Sequence, residues 1–255
     1  MELSLFAERP GRLTDAFPDD YVMLDTETPG LRAGDDHVLE IGAIRFRNGE
    51  EDGRFSSLMR PEGLTRRTVS RFITGLTGIT YEMVSKAPPA ASVMEEFAAF
   101  LGDDLIMGYN TAFDFRFLRH ECNTLLTREL TNDYVDVLRF ARFLHPEMEH
   151  HRLADMAAHF SIVNEHEHRA FSDCLTTDLC YRELRREALE RYGSEKEFMK
   201  ALAVSLRGGC FRRPAARSQL RMNAAVSACG ACGLRKADFS LCDGDPRAAS
   251  SAVLA

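Results

Sequence analysis

The chain is 255 residues long, with 45% hydrophobic residues, 28% charged residues and a formal net charge of −7. This composition is ordinary for a globular protein, and no apolar run approaches the roughly 20 residues that cross a bilayer. The first ten residues have no basic segment followed by an apolar one, so we expect a cytoplasmic protein without membrane contact. Eight basic and three acidic residues fall within 207–255, which leaves a strongly acidic remainder. That remainder argues against broad binding of duplex nucleic acid through a basic face.

The first predicted elements are strands. Apolar residues predict a strand over residues 21–26, a second over 37–47 and a third around 55–59. Asn48 and Gly49 form a typical two-residue turn between the second and third strands. Strands joined by such a turn are antiparallel, so the sheet is expected to be mixed rather than wholly parallel.

Strands and helices alternate later in the chain, with further strands predicted at 105–108 and 134–137. Together these features predict an α/β layer fold, a mixed five-stranded sheet flanked by helices, over residues 19–206. Residues 1–18 are assigned to an N-terminal tail, and 207–255 to a loosely structured linker and tail rich in Ala, Arg and Ser. Helices are predicted at 91–101, 112–125, 138–144, 152–160, 171–191 and 194–206.

Acidic residues stand at the ends of several predicted elements. Asp25 and Glu27 are two apart on the first strand, so both side chains leave the same face of the sheet. Asp114 opens the helix that follows the fourth strand. His168 and Asp173 are five apart, so both reach one pocket only if His168 lies on a loop and Asp173 in the first helical turn.

Carboxylates gathered from distant segments repel one another unless cations hold them, so this set predicts a divalent-metal site. Four acids allow two cations about 3.5–4 Å apart, a spacing that clamps the attacking and leaving oxygens of a phosphodiester. His168 adds a proton acceptor that works near neutral pH. Each motif alone has an ordinary explanation, as an exposed strand end or as an acid at a helix N-terminus. The whole set, in this order, indicates a nuclease.

Residues 21–28, 108–118 and 168–173 resemble the ExoI, ExoII and ExoIII motifs of the DEDDh exonucleases, which have a ribonuclease H-like fold. The resemblance covers residues of about 20–190. Within the family the chain is most similar to the proofreading epsilon subunit of bacterial DNA polymerase III and to exonuclease domains related to it. One departure is Tyr109, because the family often has histidine at this place.

The resemblance implies two bound ions, Mg²⁺ or Mn²⁺, and a role for each motif residue. Asp25 would contact both ions, Glu27 and Asp173 would complete the first site, and Asp114 would serve the second. His168 would be the general base, with His166 as its nearest rival. Residues 76–80 resemble the loop that meets the terminal nucleotides of the substrate. The expected substrate contacts are Thr26, Thr28, Leu76, Thr77, Asn110 and Phe113, of which Phe113 also fits a core anchor.

By this resemblance the chain is expected to be a 3′–5′ exonuclease that releases nucleoside 5′-monophosphates. Its expected substrates are single-stranded or frayed 3′ ends, with DNA favoured, and the expected partners are DNA polymerase III or its sliding clamp. Two alternatives stay open. One is an exoribonuclease of the RNase T or oligoribonuclease type, since no residue marks a contact to the 2′-hydroxyl. The other is a non-hydrolytic module that binds a polymerase or clamp.

Two further patterns stand near the ends of the chain. Cys229 and Cys232 form a C-x-x-C pair, flanked by Cys210 and Cys242. These four cysteines predict either a structural Zn²⁺ site or reduced thiols in a loose tail. Residues 2–6 resemble the short peptide that binds the bacterial sliding clamp, although a glutamate replaces its glutamine, and an ordinary tail is the alternative.

Overall fold

The computed structural model describes residues 9–164 and 167–207. Five strands form one mixed sheet, as the sequence predicts, and the structure shows their order to be β3-β2-β1-β4-β5. β1 runs antiparallel to β2 and parallel to β4. It is therefore the central strand, between the antiparallel strands β2 and β3 and the parallel strands β4 and β5. The strands are β1 (Tyr21–Glu27), β2 (Glu40–Arg47), β3 (Glu50–Leu58), β4 (Ile106–Gly108) and β5 (Tyr134–Asp136).

Eight helices belong to the described residues, and the six that the sequence predicts lie within one residue of their expected bounds. The short helices α1 and α2 were not predicted. Ser70 and Thr80 begin them, each accepting a hydrogen bond from the backbone N–H three residues on. Among the described helices none is both long and apolar enough to span a membrane. The helices are α1 (Arg71–Thr77), α2 (Tyr81–Lys86), α3 (Ala90–Leu101), α4 (Thr111–Leu125), α5 (Val137–Leu144), α6 (Leu153–His159), α7 (Ala170–Tyr192) and α8 (Glu195–Arg207).

The sheet separates two hydrophobic cores, because successive side chains of a strand point to opposite faces. Tyr21 and Met23 of β1 belong to the core formed with α5, α6, α7 and α8. Val22 and Leu24 belong to the core on the other face, formed with α3 and α4. By the same alternation Asp25 and Glu27 would leave β1 on the face that α7 covers.

Residues 9–18 pack against the outer side of β5. The N–H of Thr14 donates to Tyr134 O at 2.8 Å, and the N–H of Tyr134 donates to Arg12 O at 2.9 Å. Phe17 is 3% exposed and stacks on Phe198 with ring centroids 5.0 Å apart. The assignment of residues 9–18 to a separate tail therefore needs correction. Their apolar side chains are too sparse to produce a strand pattern, so their contacts arise only in the folded chain.

Candidate active site

Three of the four predicted acids meet at the C-terminal end of β1. Carboxylate oxygens of Asp25, Glu27 and Asp173 all lie within 4.8 Å of one another. β1 provides the first two, and the first turn of α7 provides the third. Three carboxylate oxygens at this spacing are a donor set that fits a hard divalent cation such as Mg²⁺ or Mn²⁺.

Helix α7 reaches the sheet this closely because residue 42 is glycine. Gly42 lies opposite Asp25 in the register of β1 and β2. A Cβ atom on Gly42 would lie 2.4 Å from the carbonyl carbon of Ala170 and from the nitrogen of Phe171. A side chain here would therefore push the start of α7, and Asp173 with it, away from the two acids of β1. No pattern in the sequence drew attention to Gly42.

Burial raises the pKa of each carboxyl group in this cluster. Burial, and next the charge of Asp114, holds the pKa of Asp25 well above its usual range. Burial, and next the charge of Asp173, raises the pKa of Glu27 to about 8. The pKa of Asp173 is also raised, again mainly by burial. Ionised carboxylates are thus unfavourable here without a positive charge, and a divalent cation would provide it.

Asp114 approaches β1 from α4, the helix on the opposite face of the sheet from α7. Its Oδ1 atom accepts hydrogen bonds from the backbone N–H of Thr26 at 3.0 Å and from the Thr26 hydroxyl at 2.7 Å. Asp114 is 4% exposed, and burial raises its pKa to about 7 although these hydrogen bonds oppose the rise. A second cation between Asp25 and Asp114 stays a prediction.

His168 lies in the turn before α7, with an exposed side chain and a left-handed backbone at φ 60°. Its backbone N–H donates to Asp173 Oδ2 at 3.2 Å, while Asn164 Nδ2 donates to Asp173 Oδ1 at 2.7 Å. The charge of His168 partly opposes the rise in the pKa of Asp173 that burial causes. The loop thus holds both oxygens of Asp173, and Asn164 is a contact that the sequence did not reveal. His166, the rival base, lies outside the described residues.

A buried ion pair stands beside the acid cluster. Glu40 is 3% exposed and lies opposite Glu27 in the β1–β2 register. Its carboxylate accepts hydrogen bonds from Arg169 Nε at 3.1 Å, from Arg169 Nη2 at 2.6 Å and from the Ala170 N–H at 3.2 Å. Arg169 therefore ties the start of α7 to β2 and offsets the charge that Glu40 adds near Glu27. This pair was also missed from the sequence.

Some of the expected substrate contacts have exposed side chains, whereas others make hydrogen bonds within the protein. Leu76 is 41% exposed on α1, one turn after Phe72, which is 67% exposed. Thr77 is 4% exposed, and its hydroxyl donates to Ile73 O at 3.0 Å and accepts from the Ile79 N–H at 3.0 Å. The interpretation of Thr77 as a substrate contact is therefore corrected, because its side chain completes the end of α1.

The threonines of β1 are also engaged within the protein. Thr26 is 7% exposed and its hydroxyl binds Asp114, so it supports that carboxylate rather than facing a substrate. The Thr28 hydroxyl, which is only partly buried, donates to Gly30 O at 2.7 Å.

The segment between β4 and α4 is held by hydrogen bonds. Asn110 begins α4 with φ 62°, and its N–H donates to Asp136 Oδ1 at 2.8 Å. The hydroxyl of Tyr109, the residue that departs from the family pattern, donates to His151 O at 2.6 Å. Phe113 is partly buried, with its ring centroid 4.9 Å from that of Phe117, as the core-anchor interpretation expects.

The predicted cysteine site and the clamp-binding peptide cannot be placed in the structure. Cys210, Cys229, Cys232 and Cys242 lie outside the described residues, as do residues 2–6. Both interpretations stay predictions.

The sheet order and the acid cluster define a nuclease domain with a ribonuclease H-like fold. A sequence model of the exonuclease family, of the RNase T type, matches residues 22–179. The chain therefore belongs to this exonuclease family.

The similar sequences include long bacterial polymerases. The chain is 38% identical over 175 residues to the PolC-type DNA polymerase III of Latilactobacillus sakei, and 34% identical over 172 residues to that of Bacillus subtilis. These matches take in 68% and 67% of the chain but only 12% of either polymerase. The chain thus corresponds to one segment of these relatives.

Solved structures share the fold at low sequence identity. Exonuclease X in complex with 5′ overhanging duplex DNA has a TM-score of 0.53 and 21% identity, over 71% of this chain and 99% of that one. The nuclease domain of 3′hExo, a DEDDh family member bound to rAMP, has a TM-score of 0.55 and 18% identity, over 68% and 95%. E. coli exonuclease I bound to a dT13 oligonucleotide has a TM-score of 0.56 and 19% identity, over 66% and 41%. At such identities the likeness establishes the fold.

Proposed function

We propose that this chain is a metal-dependent 3′–5′ exonuclease that removes nucleoside 5′-monophosphates from single-stranded or frayed DNA ends. The meeting of Asp25, Glu27 and Asp173 within 4.8 Å carries the proposal, because such a cluster of partly buried acids is costly without a cation. DNA is favoured because the similar sequences include PolC-type DNA polymerases. The structural neighbours are divided, since exonuclease X is bound to DNA and 3′hExo to a ribonucleotide.

The four acids would divide the metal positions between them. Asp25, Glu27 and Asp173 would hold one Mg²⁺ or Mn²⁺ ion, and Asp25 with Asp114 would hold a second. A bound divalent cation supplies positive charge to the phosphate oxygens and lowers the pKa of water.

His168 is the proposed general base. Its exposed imidazole, in the neutral form, accepts the proton of the attacking water. Asn164 and the backbone N–H of His168 itself fix Asp173, so the base and that carboxylate are positioned by the same loop. This coupling supports the assignment, because it ties the proposed base to a proposed metal ligand.

The exposed apolar side chains of α1 are the proposed surface for the terminal base. Phe72 and Leu76 are 67% and 41% exposed and lie one turn apart, so they form a small apolar patch on this short helix. A base can stack on such side chains whatever its sequence, as expected of an enzyme that degrades from an end. This surface replaces Thr77 as the substrate contact of the α1 region.

The test is cleavage of 5′-labelled single-stranded DNA and RNA of equal sequence in Mn²⁺, with Asp25→Ala as the inactive control. A ladder of shortened, still labelled products on DNA supports the proposal, and a 3′-terminal block should suppress it. Faster cleavage of RNA would favour the exoribonuclease alternative. Folded protein that cleaves neither polymer would favour the non-hydrolytic module.

We further propose that the enzyme acts in the cytoplasm on primer ends presented by DNA polymerase III. The support is the similarity to PolC-type polymerases, of which the match covers 12%. Affinity for the sliding clamp should fall when residues 2–6 are deleted. Unchanged affinity would leave the polymerase as the proposed partner and remove the clamp.

A further inference from the structure

A second group of metal-binding side chains lies where three helices meet. His145 follows the last residue of α5, His159 is the last residue of α6, and Glu187 is on α7. One ligand atom from each lies within 4.8 Å of the other two. None of these residues belongs to the acid cluster or to its supporting contacts.

His145 is the anomalous member of this group. Its side chain is 2% exposed, and its Nε2 atom makes no hydrogen bond although Glu187 Oε2 lies 3.0 Å away. Its other ring nitrogen, Nδ1, lies 3.4 Å from Glu147 Oε1. A buried polar atom without a partner is rare in folded proteins and unfavourable. The Nε2 lone pair therefore points to a ligand between the helices.

We propose that His145, His159 and Glu187 bind a Zn²⁺ ion. Two imidazole nitrogens and one carboxylate oxygen are a donor set that zinc takes with water in its fourth position, whereas Mg²⁺ favours oxygen ligands alone. With bonds of about 2.0–2.1 Å, tetrahedral ligand atoms stand roughly 3.3 Å apart. The 3.0 Å separation of His145 Nε2 and Glu187 Oε2 is close to that value, and a ring nitrogen of His159 lies within 4.8 Å of the other two ligand atoms. His159 is exposed, so its side chain can close the remaining gap.

Arg191 is the cation that faces this group. Its Nη2 atom donates to Glu187 Oε2 at 2.8 Å, and its Nη1 atom donates to Leu144 O at 2.6 Å. The ion would share the carboxylate with Arg191, in the way that metal-binding carboxylates are commonly hydrogen-bonded by a neighbour. Arg191 then fixes the orientation of Glu187 while opposing the charge of the ion.

The position of His159 would let a bound ion stabilise the segment that follows α6. α6 ends at His159, and the chain then leads to Asn164, which binds Asp173. A bound ion would join the ends of α5 and α6 to α7, and so fix the start of that segment. We therefore expect zinc to raise the thermal stability of the protein without being required for catalysis.

The test is calorimetric titration of the full chain with Zn²⁺ after other sites are removed. Asp25→Asn with Asp173→Asn removes the acid cluster, and serine at the tail cysteines (Cys210, Cys229, Cys232 and Cys242) removes the thiols. This parent protein should bind one equivalent of zinc and unfold at a higher temperature with zinc than with chelator.

His159→Ala in that parent should weaken zinc binding at least ~100-fold, since even the neighbours of metal ligands contribute about 10–100-fold. Glu187→Gln should also weaken it. The matched controls are His120→Ala, an imidazole on α4, and Glu190→Gln, one turn from Glu187 on α7. His159 is exposed, so equal unfolding temperatures in chelator will show that the variant folds. A parent that binds no zinc, or His159→Ala that binds it equally well, overturns the proposal.

Discussion

Two sets of carboxylates with limited exposure lie in this fold, and they are stabilised differently. Glu40 and Asp178 each have an arginine partner, because Arg169 binds Glu40 at 2.6 Å and Arg182 binds Asp178 at 2.8 Å. The acids gathered around Asp25 have no such partner among the ion pairs of the described residues. Burial raises their pKa values, and their neighbours are other acids. The chain itself neutralises one set, and the proposed cation would neutralise the other.

The arginine-paired acids support the fold, whereas the acids around Asp25 are the proposed catalytic residues. A paired buried acid loses stability when its partner is removed, because a charge is then left without compensation. An unpaired cluster should gain stability in the metal-free protein when one of its acids is removed. The predictions below test this contrast, beginning with the largest expected effect.

Asp25→Ala should abolish turnover while the metal-free protein stays folded and becomes at least as stable as the wild type. A carboxylate oxygen of Asp25 lies within 4.8 Å of those of Glu27 and Asp173, so its loss would remove a metal ligand and also a source of repulsion. Cleavage rates and thermal unfolding in chelator measure the two effects. Asp35→Ala, an exposed acid, should change neither. A measurable product ladder from Asp25→Ala would contradict the metal site.

His168→Ala should reduce turnover about 10²–10⁴-fold, the usual effect of losing a general base. Its side chain is exposed, so stability should change little, in contrast with the clustered acids. His120→Ala serves as the matched control. An active His168→Ala together with an inactive His166→Ala would assign the base to the other histidine.

Gly42→Ala should lower both stability and activity, because the added Cβ meets the backbone of Ala170 and Phe171 at 2.4 Å. Overpacking of this kind costs about 1–3 kcal/mol, and here it also moves Asp173 away from the acids of β1. Gly53→Ala is the control, since a Cβ there would find its nearest neighbour at an ordinary 3.5 Å. Equal activity of the two variants would show that α7 does not depend on Gly42.

The fold was predictable where apolar residues repeat over a long stretch, as in α7. It was not predictable in α1, which has seven residues and depends on the cap at Ser70. The acids of the candidate site were recognised because their order along the chain forms a pattern. Glu40 and Arg169 are 129 residues apart and form a contact that no local pattern encodes.

The sequence also did not predict which residues contact each other across the sheet. The pattern placed Asp114 with the other acids, but not on the α4 side of β1, where it binds Thr26. Likewise, the need for glycine at residue 42 becomes visible only when α7 is packed on β2. Both depend on contacts between elements, which the patterns within an element do not report.

Arg169→Ala should destabilise the protein by about 1–3 kcal/mol, less than the roughly 3–5 kcal/mol of a fully buried pair. The expected loss of stability is smaller because solvent screens the pair, since the Arg169 side chain is 40% exposed whereas that of Glu40 is 4% exposed. Arg66→Ala breaks a pair with 76% and 58% exposed side chains, so it should cost only about 0–1 kcal/mol. Denaturant unfolding measures both, and equal losses would show that Glu40 needs no partner.

The smallest expected effect is a pH dependence of stability in the metal-free protein. Raised pKa values, about 8 for Glu27 and about 7 for Asp114, mean that the folded state holds protons that the unfolded state has released. Stability contributed by these groups is therefore fully present below their usual pKa values of 3.8 and 4.5, and it is lost as pH rises through about 7 for Asp114 and about 8 for Glu27. Mn²⁺ should restore it at pH 8, because the metal favours the ionised carboxylates.

Denaturation midpoints of wild type and of Asp25→Asn with Glu27→Gln, measured in chelator from pH 5 to pH 8, provide the test. The double variant should lose less stability over this range, since two of the crowded groups no longer titrate. Asp35→Asn should follow the wild type, because Asp35 is exposed and does not belong to the cluster. Parallel profiles for wild type and double variant would mean that the cluster is not strained without metal, and the contrast with the arginine-paired acids would fail.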